Sequence, residues 1–295
     1  MEIACAFVLA CLFGQEAARA SDWTIRGRLS ADEVVIQSHR GAGLLAPENT
    51  VEAFELAWSL GTVPEADLRM TRDGVIVAFH DGDFSRVAKN ADASLKKKAA
   101  EDLTWGELSA VDVGDGLRAV RMDVVFSRMK ERPERTLYLD VKKVDLERLA
   151  AEVKAHGIQD RVVLASPRIA ELRRWKELSP ASGTLLWIGG SEEEQRRRIG
   201  ELRTENFAGL TQIQIHVRLK KGADLAKPDP FMPSDDFLVA LGKELRERKI
   251  LFQVLPWGAA DVKIYGRLLD LGVMSFATDY PKDTVAAVRA YLAGR

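Results

Sequence analysis

Residues 63–80 read VPEADLRMTRDGVIVAFH, and this stretch decides the fold that the sequence predicts. Its two apolar runs, residues 63–68 and 75–80, are separated only by RMTRDG, and Asp-Gly is a strong hairpin signal. A connection this short joins antiparallel strands, because parallel strands need a long crossover. The second run is therefore predicted to fold back over the end of the first instead of forming the next parallel strand.

Similar short apolar runs recur along the chain, and most are followed by a helical pattern, which is typical of parallel strands joined by helices. The predicted strands are residues 34–39, 63–68, 75–80, 136–142, 161–166, 183–188, 210–216, 250–255 and 273–278. The predicted helices are residues 49–60, 146–156, 169–178, 191–203, 235–248, 260–271 and 284–293. Without the fold-back run, eight parallel strands remain, which is the number that closes a (β/α)8 TIM barrel. An open doubly wound sheet is the alternative, but no glycine-rich phosphate-binding turn follows the first strand.

Residues 81–120 form an excursion between the hairpin and the third barrel strand. The excursion includes a lysine-rich stretch, residues 96–98, that is expected to be a solvated loop. Insertions of this kind commonly lie over the catalytic face of a barrel and shape its specificity.

The composition suits one barrel-sized globular domain. The chain has 295 residues, of which 46% are hydrophobic and 29% are charged, and its formal net charge is −1. A nucleic-acid partner is not expected, because such a protein needs clustered excess lysine and arginine. Any phosphate ligand would have to be recognised by a local site.

The first 20 residues are predicted to be a secretory signal peptide, which leaves residues 21–295 as a single domain. An apolar run at residues 3–13 is too short to span a bilayer, and Ala18 and Ala20 are the small residues that precede a cleavage site. Glu2 stands where such signals usually carry a positive charge. Cleavage would remove Cys5 and Cys11, which suits an oxidising compartment. We expect a secreted or periplasmic protein without a lipid anchor, and do not expect contact with a membrane.

Polar groups stand at four strand ends, where a barrel carries its chemistry. Residues two apart in a strand share a face, so Glu65 pairs with Asp67, and Asp140 pairs with Lys142. If these faces line the lumen, three carboxylates converge and repel each other unless a cation lies between them. Oxygen ligands favour Mg²⁺ or Ca²⁺.

Each such group also has a purely structural interpretation. A histidine at a strand end, such as His39 or His80, is usually a hydrogen-bonded structural residue, and an isolated Asp-x-Lys is usually a surface ion pair. The functional interpretation depends on all four strand ends presenting such groups together.

Several motifs, in this order and at this spacing, resemble those of the glycerophosphodiester phosphodiesterase family, and the match spans nearly the whole mature chain. They are His39-Arg40-Gly41, Pro47-Glu48-Asn49-Thr50, Glu65-Ala66-Asp67, Thr71-Arg72-Asp73-Gly74, His80-Asp81, Asp140-Val141-Lys142 and Thr278-Asp279-Tyr280-Pro281.

The resemblance implies a barrel enzyme that hydrolyses a glycerophosphodiester to an alcohol and glycerol phosphate with a divalent cation, Mg²⁺ or Ca²⁺. It assigns metal binding to three carboxylates, proton transfer to two histidines and phosphate contact to two cations. These are, in that order, Glu65, Asp67 and Asp140; His39 and His80; and Arg40 and Lys142. In the family, a hydroxyl of the substrate's own glycerol is thought to attack phosphorus and to form a cyclic phosphate. Asn49 is expected to cap the next helix, and Glu48 to support the site.

The chain departs from the family at three places, one of which is the closing Gly-Val-Asp-Gly motif, whose second half reads Met274-Ser275 here. Asp140 stands where the family usually has Glu, and the related sphingomyelinase D enzymes carry Asp-x-Lys there. The family's Trp-Thr-Val-Asn strand reads FQVL here, so Phe252 and Trp257 are candidates for the substrate pocket, as is His216. A phospholipase D-like or lysophospholipid phosphodiesterase, or a barrel that binds phosphodiesters without catalysis, are therefore alternatives.

Overall fold

The computed structural model describes residues 33–88, 91–114, 116–259 and 261–294. The strands are β1 (Val35–Ser38), β2 (Val63–Met70), β3 (Ile76–Ala78), β4 (Val120–Arg121), β5 (Leu137–Lys143), β6 (Val162–Ser166), β7 (Gly183–Ile188), β8 (Gln212–Leu219), β9 (Phe231–Met232), β10 (Leu251–Pro256) and β11 (Ser275–Thr278). The helices are α1 (Val51–Ser59), α2 (Ala93–Lys96), α3 (Trp105–Leu108), α4 (Met122–Lys130), α5 (Leu146–Ala155), α6 (Ile169–Leu178), α7 (Glu192–Thr204), α8 (Asp235–Glu247), α9 (Val262–Asp270) and α10 (Pro281–Ala293).

Eight of these strands form a closed parallel barrel. The parallel pairs run in the order β1, β2, β5, β6, β7, β8, β10 and β11, and β11 pairs with β1 again. The closing register joins Gln37 to Ala277. The prediction of a (β/α)8 barrel is confirmed.

The fold-back hairpin is also confirmed. Strand β3 pairs antiparallel with the end of β2, with Leu68 opposite Ala78 and Met70 opposite Ile76. The turn between them closes at Gly74, whose φ of +81° is a conformation that glycine adopts without steric cost. Because β3 lies outside the barrel order, the next barrel strand is β5.

The excursion packs around an apolar cluster of its own. The ring of Phe79 lies 4.6 Å from the ring of Phe84, measured between centroids. The buried members of the cluster are Val77, Phe79, Phe84, Val87, Ala88, Ala100, Leu103, Leu108, Val111, Val113 and Ala119. The excursion is therefore a small folded unit against the barrel wall, although its residues Lys97 and Lys98 are exposed as predicted. Helix α4, which follows it, was not predicted from the sequence.

The main apolar core lies between the barrel and its helices, because alternate strand residues point outward. Phe252 is one of these residues: it is fully buried, and its ring packs beside Gly242 of α8. The inward residues include a layer of hydrogen-bonded amides. Gln214 donates to Gln253 at 2.5 Å, and Gln253 donates to the hydroxyl of Ser275 at 2.9 Å. These amides are buried but satisfied, which makes them compatible with a stable lumen.

No described helix combines the length and the apolarity that crossing a bilayer would require. The predicted signal peptide, residues 1–20, lies outside the described residues.

Candidate active site

Three carboxylates meet in the lumen at the carboxyl ends of β2 and β5. Asp67 and Asp140 are direct register partners, and Glu65 precedes Asp67 by two residues on the same face. One oxygen from each of Glu65, Asp67 and Asp140 lies within 4.8 Å of the others. Glu65 and Asp67 are buried, and Glu65 Oε1 accepts no hydrogen bond. Converging hard oxygen donors with an unsatisfied buried oxygen fit a divalent cation.

The pKa values of these carboxylates are shifted in different directions. Burial raises the pKa of Glu65 well above its usual value, and the charges of Asp67 and Asp140 add to this shift. Burial also acts to raise the pKa of Asp67, but the Lys142 ammonium, together with His80, His39 and the hydrogen bond from Asn49, outweighs burial and lowers that pKa to about 2. The Nζ of Lys142 lies 2.8 Å from Asp140 Oδ2 and 3.0 Å from Asp67 Oδ1. One ammonium therefore does not neutralise all three carboxylates, and a cation bound among them would favour ionised Glu65.

The loop after β1 holds two of these carboxylates in place. The backbone N–H of Arg40 donates to Glu65 Oε2 at 2.7 Å, and the Nδ2 of Asn49 donates to Asp67 Oδ2 at 2.7 Å. The prediction that Asn49 caps α1 is wrong: Thr50 is the N-cap, and its side chain accepts from the N–H of Ala53. Asn49 directly precedes the N-cap, and nothing in the local sequence indicates that its side chain points into the lumen.

Each candidate acid–base histidine is held by a carboxylate. His39 Nδ1 lies 2.7 Å from Asp279 Oδ1, and His80 Nδ1 lies 2.6 Å from Asp81 Oδ1. Burial acts to raise the pKa of Asp81, but hydrogen bonds from Arg86 and His80 outweigh burial and lower it. The hydrogen bond from His39 lowers the pKa of Asp279. Each aspartate is therefore an ionised acceptor, and each Nδ1 is the donor. The Nε2 atoms are then left for proton transfer, and both histidines line one cavity.

The two candidate phosphate-binding cations line the same cavity. Arg40 has a φ of +53°, which is strained for a residue other than glycine, and such strain often marks a functional position. Its Nη1 donates to Glu48 at 3.0 Å, while its buried Nε has no hydrogen-bond partner. Lys142 is the second cation. A buried N–H without a partner is suited to an anionic oxygen of a bound phosphate.

An aromatic wall completes this cavity of about 150 Å³. Trp187 stacks on His216 with 5.4 Å between ring centroids, and Trp257 meets the edge of His39 at 6.2 Å. Burial lowers the pKa of His216 to about 4, with the positive charges of His39 and Arg218 contributing, so this imidazole is neutral.

Two candidates for the substrate pocket thus have different outcomes. Trp257 lines the cavity together with Leu255, whereas Phe252 faces α8 and the prediction that placed it in the pocket is wrong. Strand parity explains this difference, because Phe252 and Leu255 of β10 lie on opposite faces of the strand.

No role was predicted from the sequence for Asp81, Asp279 or Trp187. Asp81 and Asp279 were visible in the motifs, beside His80 and after the last strand, but their partners became known only with the fold. Trp187 is the second-last residue of β7, and no polar residue near that end of the strand marked it.

Comparisons with known proteins match the chain to one enzyme family by sequence and by fold. The family model described as the glycerophosphoryl diester phosphodiesterase family matches residues 39–283. A glycerophosphodiester phosphodiesterase from Caldanaerobacter subterraneus is 26% identical over 87% of this chain and 98% of its own length. Among solved structures, a putative glycerophosphoryl diester phosphodiesterase from Silicibacter pomeroyi shares the fold with a TM-score of 0.71 and 21% identity, over 91% of this chain and 97% of its own.

A phosphodiesterase from Oleispira antarctica, solved in complex with the product sn-glycerol-3-phosphate, shares the fold with a TM-score of 0.60 and 20% identity, over 88% of this chain and 99% of its own. The family match covers most of the chain and confirms the expectation of a phosphodiesterase. The chain is a member of the glycerophosphoryl diester phosphodiesterase family.

Proposed function

We propose that this enzyme hydrolyses a small glycerophosphodiester to an alcohol and glycerol phosphate, and that it needs a divalent cation, Mg²⁺ or Ca²⁺. The observation that carries the proposal is the meeting of three carboxylates, two carboxylate-held imidazoles and two cations around one cavity. The names of the Caldanaerobacter and Oleispira proteins support the substrate class.

Glu65, Asp67 and Asp140 would hold the cation. When bound, the cation supplies positive charge near the phosphate oxygens, where negative charge grows in the transition state. The chain's own contribution is the Nε of Arg40 and the ammonium of Lys142, which bind and orient the phosphate in the cavity that both residues line. Their fixed geometry aligns phosphorus between the two histidines.

His39 and His80 would move the two protons that the reaction requires. One Nε2 takes a proton from the attacking hydroxyl, and the other gives a proton to the departing alkoxide. Since Asp279 and Asp81 accept from the Nδ1 atoms, each ring keeps its Nε2 facing the cavity. We propose that the attacking hydroxyl belongs to the substrate's glycerol, so that a cyclic phosphate forms before water opens it.

The alcohol portion has a second space available. A wider cavity of about 580 Å³ adjoins the first and shares His80, Lys142 and Trp187 with it. We place the glycerol against Trp257 in the narrow cavity and the alcohol in the wider one.

The test is a panel of glycerophosphodiesters and lysophospholipids, each assayed with Mg²⁺, with Ca²⁺ and with a chelator. We expect cation-dependent release of glycerol phosphate, and loss of that activity in the variants His80→Ala and Glu65→Gln. Turnover confined to lysophospholipids would favour the lipid-directed alternative. Phosphodiester binding without turnover would favour a non-catalytic barrel.

We further propose that residues 1–20 are an export signal that leaves a single-domain mature protein in the periplasm or outside the cell. Cell fractionation and N-terminal sequencing of the mature protein test this; a cytoplasmic protein that retains Met1 would contradict it.

A further inference from the structure

One arginine of the excursion connects the two halves of the site. The Nη1 of Arg86 donates to Glu48 Oε2 at 2.7 Å, and its Nε donates to Asp81 Oδ2 at 2.7 Å. Glu48 in turn accepts from Arg40, and Asp81 from His80. An unbroken chain of hydrogen bonds therefore runs from a phosphate-binding cation to an acid–base histidine.

The three nitrogens of the Arg86 guanidinium all donate to carboxylate oxygens, since Nη2 also donates to Glu48 at 2.5 Å. The two carboxylates exceed its single positive charge, so Arg86 is poorly suited to bind a substrate anion itself. Its planar fork suits simultaneous binding of two carboxylates. Without it, no shared cation would link Glu48 and Asp81, and their like charges would repel each other more strongly.

The excursion fixes this arginine in position. Phe84, two residues before Arg86, is fully buried in the apolar cluster of the excursion, and its backbone N–H donates to the carbonyl of Lys96 at 3.0 Å. The side chain of Arg86 is half exposed and is not part of that apolar cluster. Its substitution should therefore leave the packing of the excursion intact.

We propose that Arg86 is a positioning residue for the phosphodiesterase reaction: by binding Glu48 and Asp81 together, it fixes Arg40 and His80 relative to each other. The inference rests on the proposed function. It gives the excursion a direct part in catalysis, through one side chain that itself touches no reacting atom.

The test compares Arg86→Gln and Arg86→Lys with the control Arg132→Gln, which removes an exposed arginine that donates to Glu134. With a glycerophosphodiester that the wild type hydrolyses, we expect R86Q to lower kcat by about 10- to 100-fold and to change KM less, because small misplacements of reacting groups are costly. R86K should restore little, because an ammonium does not bridge two carboxylates in a planar fork. R132Q should match the wild type.

A second readout does not depend on turnover. In ¹⁵N NMR of the resting enzyme, we expect neutral His80 to carry its proton on Nδ1 in the wild type and to populate both tautomers in R86Q. Wild-type kcat in R86Q, an unchanged tautomer, or full rescue by R86K would overturn the proposal. If R86Q does not fold, Glu48→Ala breaks the same chain, and wild-type kcat in that variant would also overturn it. A wild type that hydrolyses no glycerophosphodiester would refute the proposed function, while the tautomer measurement would still test the positioning.

Discussion

Asn49 holds Asp67 by two hydrogen bonds that run in opposite directions. Its Nδ2 donates to Asp67 Oδ2 at 2.7 Å, and its Oδ1 accepts from the backbone N–H of Asp67 at 3.0 Å. Asn49 itself has a φ of +56°, a conformation that asparagine tolerates better than most residues. One side chain thus fixes both the strand and the carboxylate of a candidate metal ligand.

The variant Asn49→Ala should destabilise the fold and weaken cation binding together. It leaves a buried backbone N–H and a carboxylate oxygen without their partner, which costs about 1–3 kcal/mol per group. Urea unfolding measures the stability, and calorimetric titration with Mg²⁺ or Ca²⁺ measures the affinity. The control is Asn206→Ala, because Asn206 has a similar φ of +50° but is exposed. If both variants changed stability and cation affinity equally, the effect of Asn49 would come from its backbone conformation and not from its hydrogen bonds to Asp67.

Cation affinity should increase with pH. Burial raises the pKa of Glu65, so the cation-free enzyme keeps a proton there that binding must displace. The dissociation constant should fall as pH rises towards that raised pKa, and become constant above it. Titration in buffers of different ionisation enthalpy should show proton release. Glu65→Gln should bind the cation weakly at every pH and release no proton; release that persists in this variant would place the proton elsewhere.

Removal of the cation should destabilise the enzyme more at high pH than at low pH. The folded pKa of Glu65 lies above its unfolded value of about 4.3, so the cation-free folded state binds the extra proton and its stability falls as pH rises through this window. The lowered pKa of Asp67, about 2, has the opposite sign, but its contribution is already complete above about pH 5. Melting temperatures with cation and with chelator, from pH 5 to pH 8, should diverge as pH rises. A constant difference would mean that Glu65 is ionised without the cation.

Asp279→Asn should lower kcat by about 10²- to 10⁴-fold, the range that a positioned acid–base group contributes. The amide no longer stabilises Nδ1–H on His39, so the ring can turn or change its tautomer. Asp283→Asn is the matched control on the exposed first turn of α10. Steady-state kinetics and melting temperature together separate catalysis from folding. Full activity in the Asp279 variant would show that His39 needs no carboxylate partner.

Trp257 and Phe252 should have opposite phenotypes. Trp257→Ala should raise KM by about tenfold with little change in stability, because the exposed indole lines the cavity. Phe252→Leu should destabilise by about 1–2 kcal/mol and leave KM unchanged, because the ring fills space beside α8. Kinetics and urea unfolding of both variants provide the check, and a KM effect from Phe252 would contradict the observed strand parity.

The barrel was predictable because local signals and global topology agree. The Asp-Gly turn showed that the run at residues 75–80 is not a parallel strand, and the remaining runs are the eight strands of the closed barrel. Helix α4, Met122–Lys130, was not predicted because it directly follows the charged excursion, and its apolar pattern was not distinguished from that segment. Length is not the reason, because α1 and α9 are as short as α4 and were predicted.

The candidate site was predictable as far as strand alternation reaches. Glu65 with Asp67, and Asp140 with Lys142, follow from the two-residue period alone. The face of Phe252 did not follow, because β10 carries a single polar residue, Gln253, among apolar ones, and one residue did not fix which face of a buried parallel strand lines the lumen. Asp279 orients His39 through a contact between residues 240 positions apart, which no local pattern encodes.

The closure of the barrel has a consequence for biosynthesis. His39 stands near the start of the described chain, but Asp279 and the carbonyl of Thr278 that receives the His39 N–H are made only at its end. During synthesis on the ribosome, His39 is therefore made long before Thr278 and Asp279, the residues that orient it. On the proposed mechanism, hydrolysis begins only after β11 has docked, so turnover of substrate reports that the chain has been made and folded as far as Asp279.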